Sequence, residues 1–342
     1  MLDDLKMIHE RDKSDALGVS EKQWQQLTHE FNIQLDDIEG IENIIISGMG
    51  GSTLPAVYIK SWPDTLKPME IVRDYDIPEY VNEKTLFISS SYSGNTEETL
   101  AAIDKADQAG AQIVVVGAGG KLLQLAKDKN YPFIEIPGGI QPRMCVFYFL
   151  SAFLHILDQL KLIKEGSLAE LKSSGQWLNG KMSGFLPTVP TSQNLAKQLA
   201  LELIGKSVVV YSGPKLFPSA NKFKICINEN AKNVAWVNQY SEFNHNEFMG
   251  WTSKPEDKPY AVVEIRSSLE NDRMKKRFEV TEQLLSGKRP SPIVITPLGE
   301  NLIQQLLWAS NFCDFISIYA GLLNGVDPSQ VDLAEKFKTM LG

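Results

Sequence analysis

The sequence predicts an α/β protein built from two doubly wound parallel-sheet domains, flavodoxin-like, with flanking helices. Three observations predict it. Short, wholly apolar runs alternate with helical stretches, as they do when strands are buried on both faces. The alternation occurs twice, on either side of a polar stretch from Lys164 to Gly184. The length, 342 residues, makes roughly two domains at ~150 residues each.

The first 40 residues read as helical and amphipathic around Trp24, Leu27 and Phe31. Ile44 to Ser47 is an apolar run closed by glycines, the mark of a buried strand. A helix follows over Thr53–Lys60, with Pro55 tolerated in its first turn. Strands are expected at Met69–Val72, Leu86–Ser89, Ile113–Val116 and Tyr131–Ile136, with helices at Glu97–Ala109 and Lys121–Asp128 and an apolar helix from Arg143. The second half repeats the scheme. Strands are expected at Ser207–Tyr211, Val234–Val237, Ala261–Ile265 and Pro292–Thr296. Helices are expected at Leu195–Ile204, Pro214–Ile227, Asp272–Leu285, Asn301–Leu323 and Val331–Leu341. The expected domains are 1–163 and 164–342.

Composition excludes several classes. The apolar share is 43% and the charged share 22%, ordinary for a soluble globular chain. The net charge of −8 argues against nucleic acid, which needs a basic face. The longest basic run is Lys275-Lys276-Arg277, which reads as a solvated helix face. The charged N-terminus has no signal-peptide core. The apolar stretch Cys145–Leu157 is shorter than the ~20 residues of a membrane span, so no membrane partner is expected. Cys145, Cys226 and Cys313 lie far apart with no metal spacing, which reads as a reduced, cytoplasmic protein using cysteine as a core residue.

Two strand-to-helix turns carry the chemistry. One is Gly48-Met49-Gly50-Gly51-Ser52-Thr53; the other is Ser89-Ser90-Ser91-Tyr92-Ser93-Gly94-Asn95-Thr96-Glu97-Glu98. A helix start leaves four N–H donors unpaired and carries about half a positive charge. Glycines and hydroxyls at such a start suit an anion, and phosphate is its natural occupant. Neither turn is a P-loop, and neither has the G-x-G-x-x-G spacing. The plain alternative is capping, with Asn95 and Glu98 as a capping box. Five serine and threonine residues in the eight of SSSYSGNT exceed what capping requires.

GMGGST, SYSGNTEETL, QPR, NENAKN and EFNHNE, in that order, resemble the bifunctional phosphoglucose/phosphomannose isomerases, which are built from two sugar isomerase (SIS) domains. The resemblance spans about Ile44 to Leu341. It implies that Gly51 and Ser52 form the first phosphate-side turn, and that Ser91, Ser93 and Thr96 hold the sugar phosphate. It implies Arg143 near the reacting carbons, Glu229 as the catalytic base, and Lys338 as the C-terminal lysine of the site. It implies a homodimer in which His245, the ring-opening histidine, comes from the other subunit. No cofactor or metal is implied, and His9, His29, His155 and His245 form no ligand pair.

The residue types suit an aldose–ketose isomerase acting on hexose 6-phosphates. One carboxylate can carry a proton between C1 and C2 of an open-chain sugar. A fixed guanidinium stabilises the enediolate, and a histidine can shuttle the ring-opening protons. Each residue also has a plainer reading. Glu229, in a polar turn near Lys222, Lys224 and Lys232, reads as solvated. His245 reads as a loop residue, Arg143 as a helix-end residue, Lys338 as surface and His155 as core. One segment departs from the family. Ser329, Gln330 and Val331 stand where a threonine accompanies mannose 6-phosphate use, so glucose 6-phosphate is the firmer expectation. Two rivals remain: a non-catalytic sugar-phosphate sensor, and the isomerase half of an amino-sugar aminotransferase. The sensor needs an output segment. The aminotransferase needs a glutamine-hydrolysing domain.

Overall fold

A computed structural model describes residues 1–252 and 259–341, excepting the side chains of 334, 335, 338, 339 and 341. The chain divides into two compact units. One is Gln23–Trp177; the other joins Met1–Lys22 to Leu178–Gly342. The leading helices thus group with the second sheet, a pairing that the order of elements does not reveal.

The unit Gln23–Trp177 holds five parallel strands: β1 (Asn43–Gly48), β2 (Met69–Val72), β3 (Thr85–Ser91), β4 (Gln112–Gly117) and β5 (Phe133–Glu135). Their order is β2-β1-β3-β4-β5, the flavodoxin-like arrangement. Ile44, Ile45, Ile46, Leu86, Phe87 and Ile88 are fully buried, because helices cover both faces of the sheet. In chain order the helices α1 (Leu5–Arg11) and α2 (Ala16–Glu21) belong to the other unit. Those of this unit are α3 (Trp24–Leu27), α4 (Leu54–Ser61), α5 (Glu97–Gln108), α6 (Gly120–Asp128), α7 (Val146–Gln159) and α8 (Ser167–Leu178). Pro55 sits in the first turn of α4, where a missing N–H costs nothing.

The other unit carries β6 (Ser207–Ser212), β7 (Ala235–Gln239), β8 (Tyr260–Ile265) and β9 (Ile293–Ile295), all parallel, in the order β7-β6-β8-β9. Its helices are α9 (Leu195–Leu203), α10 (Phe217–Asn230), α11 (Glu247–Gly250), α12 (Asp272–Leu284), α13 (Leu302–Leu323) and α14 (Asp332–Leu341), besides α1 and α2. Among the described residues, α13 alone is long and apolar enough to cross a membrane, and it is buried along nearly its whole length. It is the core helix of this unit. Polar side chains on it tie it to neighbouring elements: Asn311 donates to the Ser20 carbonyl (2.8 Å), and Ser317 accepts from Asn230 (2.8 Å).

Two local expectations fail. The leading segment is not one amphipathic run, and residues 28–42 are irregular. Asp12 breaks the helix by accepting the N–H groups of Ala16 and Leu17 (2.8 and 3.0 Å). Phe31 packs edge-on against His29 and His155, with ring centroids 4.7 and 5.5 Å apart. The triplet Asn228-Glu229-Asn230 is the last turn of α10 rather than a loop, because Asn230 is a buried polar residue satisfied by Ser317 across α13.

Candidate active site

In an open parallel sheet the chain leaves β1 and β3 in opposite directions, and the crevice lies beyond their carboxyl ends. Both hydroxyl- and glycine-rich turns fall there. The β1 turn runs through a 3-10 turn, Gly50–Ser52, into α4. Ser90 fastens the two strand ends, since its hydroxyl donates to the Ser47 carbonyl (2.8 Å).

The β3 turn is a knot of hydroxyls. Ser91 Oγ and Thr96 Oγ1 lie 2.8 Å apart, and Ser91 Oγ also accepts the Gly94 N–H (3.1 Å). Ser93 Oγ accepts the Asn95 N–H (3.3 Å), and Ser93 is exposed. Thr96 is the N-cap residue of α5, yet its side chain makes no capping bond. The capping box does not form, because Asn95 instead accepts the Lys121 N–H (3.1 Å). The turn is held from the far side as well. Gly94 has φ of +65°, and a Cβ there would lie 1.8 Å from the Gly119 carbonyl oxygen.

The third part of the site is a strap. Residues 136–145 leave β5 and run back over the carboxyl ends of the sheet. Ile136 N–H meets the Gly117 carbonyl at β4 (2.8 Å), Ile140 N–H meets the Tyr92 hydroxyl beyond β3 (3.0 Å), and Pro142 reaches Gly51 beyond β1. A Cβ on Gly51 would lie 2.7 Å from the Pro142 carbonyl oxygen, so only glycine lets the strap come this close. Arg143 sits in the strap's 3-10 turn, Pro142–Met144, and is 2% exposed. Gln26 clamps the turn from behind, donating to the Met144 carbonyl (2.7 Å) and accepting the Tyr148 N–H (3.2 Å). The Arg143 guanidinium donates to Gln141 Oε1 (3.4 Å), and the Arg143 backbone N adjoins Gly51; a buried guanidinium carried on a strap that meets both turns is suited to a phosphorylated, electron-rich ligand.

The structure thus brings together Gly51, Ser52, Ser91, Ser93, Thr96 and Arg143 in one unit. Sequence reasoning passed over two neighbours. Arg73, just after β2, donates from Nε to Thr53 Oγ1 (3.3 Å). Its place at the carboxyl end of a strand was the available signal. Tyr92 is the other, and nothing in its spacing marks it.

In the other unit, Glu229 is half-buried in the last turn of α10. Its helix is fixed to α13 at three levels. Ser219 donates to the Leu306 carbonyl (3.0 Å), Lys222 forms a buried ion pair with Asp314, and Asn230 donates to Ser317 (2.8 Å). Lys232 closes the helix end by donating to the carbonyls of Glu229 and Asp327 (both 2.8 Å). Both asparagines of the triplet serve the backbone or α13, since Asn228 donates to the Asn233 carbonyl (2.9 Å). Glu229 is therefore carried at a fixed place.

His245 follows β7 and is exposed. Its loop is rigidly seated by Phe243, fully buried against Tyr211 and Tyr240, and by Glu247, which accepts from Tyr211 and from Asn238 (2.7 Å). Glu229 ends the helix that leads into β7, whereas His245 lies beyond the strand's far end. The five residues of β7 alone span about 17 Å, and Glu229 and His245 lie toward its two ends. Lys338 lies on α14, and its side chain is outside the described residues. Among the described residues, no group of three or more His, Cys, Asp or Glu could hold a metal ion.

Comparison with known proteins follows the same lines. The family model for the bacterial phospho-glucose isomerase C-terminal SIS domain matches residues 192–341. A bifunctional phosphoglucose/phosphomannose isomerase of Caldicellulosiruptor bescii is 33% identical over 310 residues, covering 89% of this chain and 90% of that protein. A D-glucosamine-6-phosphate 4-epimerase of Sulfolobus acidocaldarius is 32% identical over 222 residues, covering 64% of this chain and 68% of that protein. The crystal structure of a glucose-6-phosphate isomerase like protein from Thermus thermophilus superposes with a TM-score of 0.67 at 18% identity, covering 99% of this chain and 98% of that one. The last likeness speaks to the fold, two parallel sheets with flanking helices.

Proposed function

The chain belongs to the bifunctional phosphoglucose/phosphomannose isomerase family, and from that premise we propose that it interconverts glucose 6-phosphate, and also mannose 6-phosphate, with fructose 6-phosphate through a cis-enediolate. The observation that carries this reading is the meeting of the Ser52 turn, the Ser91–Thr96 turn and buried Arg143 at one switch point. Hydroxyls and backbone N–H groups grip the phosphate dianion. Arg143 faces the electron-rich end, where a guanidinium stabilises the enediolate without losing its proton.

Glu229 takes the proton from C2 and returns it to C1, general acid–base work worth roughly 10²–10⁴-fold. His245, assisted by Lys338, opens the sugar ring. The opposite ends of β7 at which Glu229 and His245 lie support a homodimer in which each active site takes His245 from the second subunit. A cytoplasmic setting belongs to the same reading, supported by three buried cysteines that form no disulfide.

The test is a set of parallel assays with chelator present. Glucose 6-phosphate and mannose 6-phosphate should each yield fructose 6-phosphate. Glucosamine 6-phosphate should not be epimerised at C4. Tight hexose-phosphate binding without turnover would overturn the reading in favour of a sensor, and C4 epimerisation alone would overturn it in favour of the epimerase chemistry.

A further inference from the structure

Tyr92 sits inside the SSSYSGNT motif, between two hydroxyls assigned to the phosphate, yet it has no role of its own in that assignment. Its bonds run in three directions. Its N–H donates to Ser52 Oγ in the β1 turn (3.0 Å). Its carbonyl accepts the Ala118 N–H at the end of β4 (3.2 Å). Its hydroxyl accepts the Ile140 N–H in the strap (3.0 Å). Backbone groups of Tyr92 fix the first two bonds whatever its side chain. The third depends on the phenol alone, and it meets the strap three residues before Arg143.

We propose that Tyr92 is a positioning residue that sets the distance between the phosphate-gripping turns and the Arg143 guanidinium, by anchoring the strap on its hydroxyl. The proposal rests on the isomerase reading above. The two ends of a hexose phosphate are a fixed length apart, so the cradle for one end must be held in register with the cation for the other. The β1 turn meets the strap through close packing of Gly51 on Pro142. The β3 turn meets it through the phenol, which interacts with Gly139 and Cys145 of the strap as well as with Ile140. Burial, chiefly, pushes the phenol up to about 12, so it stays a neutral hydroxyl across the working range and holds position rather than moving protons.

The experiment compares Tyr92→Phe and Arg143→Gln in three readouts: kcat, affinity for inorganic phosphate, and affinity for a five-carbon aldonohydroxamate phosphate that mimics the enediolate. Arg143→Gln should lower kcat and hydroxamate affinity while phosphate affinity holds. Tyr92→Phe should show the same split, with kcat down by about 10- to 100-fold, the scale of a sub-ångström to 1 Å misplacement. Ile140→Pro, which removes the donor and leaves the ring, should show that split too; it also serves if Tyr92→Phe fails to fold. Wild-type kcat and hydroxamate affinity in Tyr92→Phe, with both lowered in Arg143→Gln, would overturn the role of Tyr92 alone. Equal loss of phosphate and hydroxamate affinity would reduce Tyr92 to a structural residue. No effect of Arg143→Gln would remove the isomerase assignment of Arg143 itself, and with it the premise.

Discussion

The Gly51 Cα approaches the Pro142 carbonyl so closely that a Cβ there would stand 2.7 Å from the carbonyl oxygen. This contact joins the β1 turn to the strap that carries Arg143. Both partners are backbone, so neither can swing aside. Gly51→Ala must push the strap outward by a few tenths of an ångström or more. The expected result is a fall in kcat/KM of about 10²-fold, the scale that misplacement of a catalytic group produces, with a cooperative melting transition retained. Steady-state kinetics and calorimetry check it.

Ser91 and Thr96 are each other's partners across 2.8 Å. Removing both hydroxyls should raise KM for hexose 6-phosphate while kcat changes little, because phosphate contacts are made equally in ground and transition states. Ser91→Ala with Thr96→Ala, assayed by initial rates, tests this. An unchanged KM would place the phosphate elsewhere.

Glu229 and His245 at opposite ends of β7 make a prediction about mixtures. Glu229→Gln and His245→Ala subunits should each be nearly inactive alone. Mixed under conditions of proven subunit exchange, they should recover partial activity, since some sites regain both groups. No recovery despite exchange would mean that His245 does not act across subunits.

The Lys222–Asp314 pair is 1% exposed on both sides and ties the Glu229 helix to α13. Lys222→Met leaves Asp314 buried opposite an apolar chain. A loss of about 3–5 kcal/mol is expected, read by denaturant unfolding. The double variant Lys222→Met with Asp314→Leu should recover much of it, because no buried charge then lacks its counterpart. A single variant as stable as wild type would contradict the pair's anchoring role.

His155 gives a pH dependence. Burial, chiefly, holds its pKa below the ordinary 6.5, although its Nδ1 lies 2.7 Å from the Ser151 carbonyl. The unfolded chain therefore binds the proton more readily. The contribution of His155 to stability is complete above about pH 6.5 and is lost progressively as pH falls from there toward the folded pKa. His155→Phe, which keeps the ring against Phe31, should flatten the stability profile on the acid side. An unchanged slope between wild type and variant would contradict this.

Much of the fold was legible because buried parallel strands announce themselves. Ile44–Ile46, Val114–Val116 and Val208–Val210 are apolar on both faces, and all are buried. The two turns after β1 and β3 were legible for the same reason: their place at strand ends follows once the strands are found. Long-range closeness was not. Nothing local says that residues 136–145 return over three strands to Gly51, or that the phenol of Tyr92 meets Ile140. The helical state of Asn228–Asn230 was hidden because polar residues at a helix end look like a turn until Ser317 supplies the partner for Asn230. Asn95 and Glu98 had the spacing of a capping box, but tertiary pairing of Asn95 with Lys121 N–H won.

Glu229 as the group that moves the proton is the centre of the proposed chemistry. The direct measurement is solvent deuterium exchange at C2 of glucose 6-phosphate, followed by NMR in heavy water with wild type and Glu229→Gln side by side. Exchange by wild type, slowed by at least ~10²-fold in the variant, is the predicted result. Exchange in the variant as fast as in wild type would contradict it.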